Sequence, residues 1–268
     1  MKIGVLGKID KLGTVETMEE ILRFLRGLGH ETTYFSSHEE IEGVELVIVL
    51  GGDGAILHAA VIAAQKGIKI VGINYGTLGF LTEYEKDERA LMGELLHAIE
   101  SGVCQIVKRS LLEVRIDGKK FYALNEVAIQ RDNNPSSASP TQILSVAFMA
   151  REGKEVIAGD GLLICTPTGS TAYSLSAGGA ILTPEVPVFM MTPICAFSMR
   201  ARPIVFSDAD KFTLGIRKGK AILLVDGKSV ASLPENTEIK IEKAPFTADF
   251  PVKKDADFFA RVRNKLNS

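Results

Sequence analysis

The sequence predicts an α/β amino-terminal domain with a parallel sheet, followed by a β-rich domain. From Met1 to about Ser101, apolar strand-like runs alternate with stretches of helical periodicity, the rhythm of a parallel sheet covered on both faces. Beyond Val103 the rhythm changes to short β-rich runs separated by turn signals, the mark of antiparallel hairpins. The expected division is an α/β domain over residues 1–102 and a β-rich domain over residues 103–249. A final segment, residues 250–268, is expected to pack back on the first domain.

The elements of the first domain follow in order. They are a strand from Ile3 to Leu6, a helix around Thr17 to Leu28 and a strand from Val44 to Leu50. Next come a helix from about Ala55 to Gln65, a strand from Ile68 to Ile73 and a helix from about Lys86 to Ile99. In the second domain the turn signals are Asp117-Gly118-Lys119, Arg151-Glu152-Gly153, Lys218-Gly219-Lys220 and Asp226-Gly227. Arg131 to Pro140 (RDNNPSSASP) is too polar to bury and too rich in Pro and Ser to extend a strand, so it reads as a surface loop or a flap over a ligand. Asp255 to Leu266 returns to helical spacing, with Phe258, Phe259 and Val262 on one side.

Bulk properties narrow the function classes. A chain of 268 residues, 46% hydrophobic and 24% charged, can bury one large core or two modest ones. A net charge of -2 lacks the basic excess of a dedicated nucleic-acid binder, so no nucleic-acid partner is expected. Cys104, Cys165 and Cys195 form no CxxC pair and suggest neither a disulfide framework nor a zinc site. No apolar run approaches the roughly 20 residues of a membrane span, and a cytoplasmic protein with no membrane partner is expected. His30, His38, His58 and His97 are scattered without metal-ligand spacing, so no protein metal site is expected.

Three stretches carry chemistry. The strand ending at Leu50 runs into Gly51-Gly52-Asp53-Gly54 and then into a helix. Glycines there let backbone N–H groups approach an anion, and the helix N-terminus adds its positive dipole. An acid among those N–H groups could accept a proton from a sugar hydroxyl as a new O–P bond forms; the plainer reading is a tight turn with Asp53 as helix cap. The strand from Ile68 to Ile73 delivers Asn74 to Leu81 to the same sheet edge, where Phe80 could stack on a base or fill a domain-junction core with Leu78 and Leu81. The third stretch, Gly159 to Gly179, is an apolar strand emptying into hydroxyl groups and glycines that open a short helix. That arrangement suits a nucleoside, although Ser and Thr also serve as turn and cap residues. Asn125-Glu126 follows another strand and offers an amide beside a carboxylate.

Taken together, GGDG, NxGxLGFL, LNEV, DGLLICTPTGSTAYSLSAGG and the later Met191 to Cys195 with Arg202 to Val205 occur in the order and spacing of the NAD kinase family. The resemblance covers most of the chain from about Val44 to Gly227. The long third motif is the specific one, since diacylglycerol kinases and phosphofructokinases also carry GGDG. The resemblance implies an α/β domain joined to a β-sandwich-like domain, the NAD kinase and diacylglycerol kinase type of fold. It implies phosphorylation of the 2′-hydroxyl of the adenosine ribose of NAD, giving NADP, with ATP, another nucleoside triphosphate or polyphosphate as donor. It also implies a divalent metal such as Mg²⁺ carried by the donor phosphates, and dimers or tetramers.

Residue by residue, it implies that Asp53 is the general base and that Gly51, Gly52 and Gly54 lie by the donor phosphates. Phe80, Asn125, Thr171, Ala172, Tyr173 and Ser176 would hold the adenosine part of NAD. Glu126 and Asp160 would reach other polar groups of the dinucleotide, and Cys195 would line the nicotinamide side. The chain departs from the family pattern at three places. Ala55 replaces the usual Thr after GGDG, Ala196-Phe197 replaces the familiar Pro-His pair, and Ala158 stands where many members have Arg. A lipid kinase sharing the GGDG core, and a dinucleotide sensor that has lost turnover, remain the competing readings.

Overall fold

A computed structural model describes residues 1–7, 14–75, 79–86, 88–132, 143–151, 153–254 and 256–266. The chain divides into two compact units, Met1–Arg109 with Phe246–Ser268, and Ser110–Pro245. Two stretches singled out in the sequence, most of the polar segment from Arg131 to Pro140 and residues 76–78 of the NxGxLGFL motif, lie outside the described residues.

The first unit opens with β1 (Lys2–Gly7), α1 (Thr14–Gly27), β2 (Glu31–Phe35), β3 (Leu46–Leu50) and α2 (Asp53–Gln65). After these come β4 (Lys69–Asn74), β5 (Tyr84–Glu85) and α3 (Arg89–Glu100). The strands form one parallel sheet in the order β2-β1-β3-β4-β5. Because successive residues of a strand face opposite ways, nearly continuous apolar runs such as Leu46–Leu50 need cover on both sides. Ile3, Val5, Ile48 and Val71 share one cluster with Met18, Ile21 and Leu25 of α1 and with Met92, Leu95 and Leu96 of α3. α2 lies against β3 and β4, and its apolar face is mostly alanine. That approach is close: a Cβ on Gly72 would come within 2.2 Å of Ile56 Cδ1.

The second unit runs through β6 (Ile106–Ile116), β7 (Lys119–Ala123), β8 (Glu126–Arg131), β9 (Leu144–Ala150), β10 (Gly153–Gly159) and β11 (Gly161–Cys165). A 3-10 turn at Thr168–Thr171 and the single-turn α4 (Tyr173–Ser176) follow. The remaining strands are β12 (Val188–Ile194), β13 (Ile204–Ser207), β14 (Phe212–Lys218), β15 (Ala221–Val225), β16 (Lys228–Leu233) and β17 (Glu238–Pro251). The unit boundary falls inside β6 and β17, and the chain then ends in α5 (Phe258–Leu266), a part of the first unit.

Two six-stranded sheets result, β10-β9-β14-β17-β6-β7 and β13-β12-β11-β8-β15-β16. Leu112, Val114, Val146, Phe148, Phe212 and Leu214 from the first sheet meet Ile129, Leu162, Ile164, Phe189 and Leu223 from the second in one core, a β-sandwich. Each such side chain contributes about 1.5–3 kcal/mol when taken out of water, and the two-residue period places them all on the inner faces.

Asp117-Gly118 and Asp226-Gly227 close hairpins with both residues at positive φ, the backbone that two-residue hairpin turns require. Lys218-Gly219-Lys220 does not close a hairpin. Its flanking strands β14 and β15 belong to different sheets, so this turn carries the chain across the sandwich. The strand β2 had no signal strong enough to read, because Glu31–Phe35 is a mostly polar edge strand with one buried side chain.

Gly161 is fixed by its surroundings. Its φ is +155°, and a Cβ there would fall 2.0 Å from the Ile129 carbonyl oxygen. Backbone atoms in the sheet cannot yield as a flexible side chain would. Gly161→Ala is therefore expected to lower the free energy of unfolding in urea by on the order of 2–4 kcal/mol. An unchanged midpoint would mean that the strand relaxes freely at this point.

Candidate functional site

In the first unit, the sheet order places β2 and β3 on opposite sides of β1. Chain connections therefore leave the sheet in opposite directions at the β1–β3 pair, and the crevice past the carboxyl ends of such strands is where open α/β sheets bind ligands. Gly7 of β1 pairs with Leu50 of β3 at that end, and Gly51 to Gly54 follow immediately. Gly51 N–H bonds the Ile73 carbonyl at 3.0 Å, which continues the β3–β4 pairing into the turn.

Gly52 is the N-cap of α2, with no side-chain cap, and Asp53 is the first helical residue. The carboxylate of Asp53 does not cap its own helix. Its Oδ2 accepts the Phe80 N–H at 2.8 Å and its Oδ1 accepts the Leu81 N–H at 2.9 Å. Lys265 Nζ of α5 donates to Oδ2 at 3.1 Å and stands 4.3 Å from the centroid of the Phe80 ring. A base stacking on Phe80 would use the opposite face or displace this ammonium. Gly79 makes the approach feasible, since a Cβ there would lie 2.2 Å from Asp53 Oδ1. By contrast, among the described residues a Cβ on Gly52 or Gly54 would meet no heavy atom within 4 Å. The fold leaves open space there, beside uncapped N–H groups at the positive end of a helix, which is a setting for an anion.

In the second unit the candidate residues gather at two ends of β11. Cys165 of β11 pairs with Glu126 of β8, and Gly161 pairs with Gln130 and with Ile194 of β12. Asn125, Glu126, Thr171, Ala172, Tyr173 and Ser176 therefore belong to one end. Asp160 and Cys195 belong to the other, about 14 Å away by the rise of an antiparallel strand. Tyr173 packs on the outer face of that sheet with Leu163, Cys165, Met190 and Ile194. Its hydroxyl pKa is raised by burial and by Cys195, Asp160 and Glu126, groups from both ends. Asp160 pairs with Arg131 at 3.3 Å, and Cys195 is exposed with φ of 44°.

Much of the hydroxyl run is taken up by bonds within the second unit. Thr166 Oγ1 donates to the Leu124 carbonyl at 2.5 Å and accepts the Gly169 N–H at 3.2 Å. Ser170 Oγ donates to the Pro167 carbonyl at 2.6 Å and accepts the Leu182 N–H at 2.9 Å, while Ser174 and Thr192 bond each other at 3.0 Å. All four of these residues are buried. Thr171 Oγ1 also donates to the Thr168 carbonyl at 3.3 Å; Thr171, Ala172 and Tyr173 are half-buried and Ser176 is exposed.

Three residues that sequence reading passed over position these sites. Asp226, read only as a hairpin residue, accepts the N–H groups of Leu124, Asn125 and Glu126 at 2.9, 2.8 and 3.1 Å, and so fixes the bend that presents Asn125 and Glu126. Arg261 bonds the Phe80 carbonyl at 3.0 Å and Glu83 at 2.9 Å, and Lys265 completes the set on Asp53. An Asp-Gly dipeptide signals its turn but not its side-chain partners, and cations in a short terminal helix look like surface.

The ATP-NAD kinase N-terminal domain model matches residues 29–102, and the ATP-NAD kinase C-terminal domain model matches residues 124–251. The NAD kinase of Methanothermobacter thermautotrophicus is 34% identical, over 99% of this chain and 96% of the relative. The chain belongs to the NAD kinase family. The NAD kinase of Carboxydothermus hydrogenoformans is 37% identical over 85% of this chain and 81% of its own length. Among solved structures, an NAD kinase from Archaeoglobus fulgidus in complex with ATP is 29% identical with a TM-score of 0.79, covering 100% of this chain and 98% of its own. Yeast NADH kinase complexed with NADH, at 22% identity, shares the fold with a TM-score of 0.85 over 100% of this chain and 88% of its own.

The departures of this chain from the family pattern have plain settings. Ala55 lies in the first turn of α2, its carbonyl 3.2 Å from His38 Nε2. Phe197 is 81% exposed, and its N–H donates to the Ala158 carbonyl.

Burial, and then the nearby Asp226 carboxylate, push the Glu126 carboxyl up to about 7, and among the described residues its Oε2 has no hydrogen-bond partner. A pKa raised on folding gives a contribution that is complete below the ordinary 4.5 and is lost as pH climbs through 7. Glu126→Gln cannot ionise. Its stability relative to the parent should therefore rise by on the order of 3 kcal/mol between pH 4 and pH 8, measured by denaturant unfolding. A difference that stays flat across that window would contradict the buried, proton-holding state of Glu126.

Proposed function

We propose that the enzyme moves the terminal phosphoryl group of ATP onto the 2′-hydroxyl of the adenosine ribose of NAD, giving NADP, with Asp53 as general base. The observation that carries this reading is the Asp53 carboxylate, oriented by two backbone N–H groups at the opening of α2 and flanked by glycines with open space. A carboxylate has about four lone-pair sites, and among the described residues the bonds from Phe80, Leu81 and Lys265 use three, which leaves one for a hydroxyl proton. As that proton passes to Asp53, the ribose oxygen forms its bond to phosphorus, and the bond to the leaving ADP oxygen breaks with its electron pair on ADP. The ATP that accompanies the Archaeoglobus fulgidus relative supports this donor.

In this reading Gly51, Gly52 and Gly54 border the donor phosphates. Phe80, Asn125, Thr171, Ala172, Tyr173 and Ser176 hold the adenosine, Glu126 and Asp160 meet other polar groups of the dinucleotide, and Cys195 lines the nicotinamide side. A divalent metal, Mg²⁺ by preference, would arrive on the donor and neutralise phosphate charge. The residues fit such a guest, since both Asp53 oxygens already accept hydrogen bonds and the space beside Gly52 and Gly54 suits a phosphate with its own counter-ion. Self-association is supported by the exposed Phe197 and Met199 beside Ile204 and Val205. Three free thiols support a cytoplasmic setting, and among the described residues no helix is long and apolar enough to cross a membrane.

Two variants test the reading. With ATP, Mg²⁺ and NAD, Asp53→Asn should lose at least about 100-fold in kcat while keeping its unfolding midpoint, and full turnover would remove Asp53 from the role of base. Gly54→Ala adds a methyl where the fold has room and improves helix propensity. The variant should gain up to about 1 kcal/mol of stability while its KM for ATP rises; unaltered donor kinetics would separate the glycine turn from the phosphates.

A further inference from the structure

The helix α5 is docked by charge. None of its side chains is buried, and Phe259 on the side singled out in the sequence is 62% exposed. Phe258 and Val262 are half-buried, and among the described residues Arg261 and Lys265 attach the helix by hydrogen bonds. Arg261 bonds the Phe80 carbonyl and the Glu83 carboxylate, and Lys265, one turn further along the same helix face, reaches Asp53. Arg261 thus holds the carbonyl of the residue whose N–H holds Asp53. Lys265 is seated twice, by the Asp53 carboxylate and by the Phe80 ring, and only about a third of its side chain remains accessible.

An ammonium bound to a general base would oppose proton uptake if it had no other place to act. Phosphoryl transfer supplies one, because the reacting phosphates as a whole gain a negative charge as the base loses its own, and the transferring group spreads its charge over three oxygens. We propose that Lys265 belongs to the phosphoryl-transfer centre. Its positive charge is directed at the Asp53 carboxylate before reaction and at the oxygens of the transferring phosphoryl group as the carboxylate takes the hydroxyl proton. The proton ends on Asp53, the new O–P bond forms at the ribose, and the leaving diphosphate keeps the electron pair of the broken bond. This inference rests on the reading of Asp53 as the base.

Lys265→Met, Lys265→Arg, Arg261→Ala and Asp53→Asn, each in the full chain, provide the test, with kcat and KM measured for ATP and NAD and unfolding midpoints alongside. The expected result is a fall in kcat of roughly 100-fold or more for Lys265→Met, with the KM for NAD within about twofold and the unfolding midpoint kept. Lys265→Arg should restore most of the loss, because it keeps the charge. An unchanged or increased kcat in Lys265→Met overturns the proposal, the increase identifying Lys265 as an obstruction. If Lys265→Met and Arg261→Ala fall together with lowered midpoints and Lys265→Arg fails to rescue, the residue is only a tether for α5, and the proposal is likewise overturned. An effect confined to the KM for NAD also overturns it. Asp53→Asn separates the two readings: full turnover in that variant removes the base itself, whereas its inactivity beside an active Lys265→Met removes Lys265 alone.

Discussion

The Asp53 carboxylate, gripped by the N–H groups of Phe80 and Leu81, is the interaction on which the arrangement of the first unit's candidate site depends. It joins the start of α2 to the segment after β4, two pieces of chain that the parallel sheet brings to one edge. Hydrogen bonds to a charged acceptor are about twice as strong as neutral ones, so the pair fixes the direction of the carboxylate as well as the path of the loop. Gly79 is the steric condition for it. The same peptide at Phe80 is held from its carbonyl side by Arg261, so an acid, an aromatic ring and two cations form one connected set.

The second unit achieves orientation by a related device. Asp226 gathers three successive N–H groups at the end of β8, although burial drives its own carboxyl up to about 6. A buried carboxylate without donors would be costly, and with three it becomes a fastening. Glu126 lies beside it with an oxygen unsatisfied among the described residues and a raised pKa.

How far the sequence disclosed this varied with the physics of each feature. The parallel sheet was legible because fully buried strands are uninterrupted apolar runs, while β2 was not, being an edge strand of Glu, Thr and Tyr with a single buried ring. The Asp-Gly turns announced their hairpins through the positive φ they demand, but Lys218-Gly219-Lys220, where Gly219 alone has positive φ, passes between sheets. In the candidate site, GGDG stood out because glycines and an acid between strand and helix are an unusual local combination. Asp226, Arg261 and Lys265 act over 100 positions or more of sequence, at distances where only the fold itself brings partners together. Thr166, Ser170 and Ser174 gave the opposite lesson, since hydroxyl groups that look available along the chain are consumed by bonds within the second unit.

The dependence of Asp53 on Lys265 has a bearing on how the protein is made. The two residues are 212 positions apart, so at about 5–20 residues per second a ribosome takes roughly 10–40 s to travel from one to the other. The parallel sheet, the GGDG turn and the loop that grips the acid are all encoded before that interval ends. During synthesis the nascent sheet edge therefore carries its carboxylate without the matching ammonium, and the final helix supplies the missing counter-charge last.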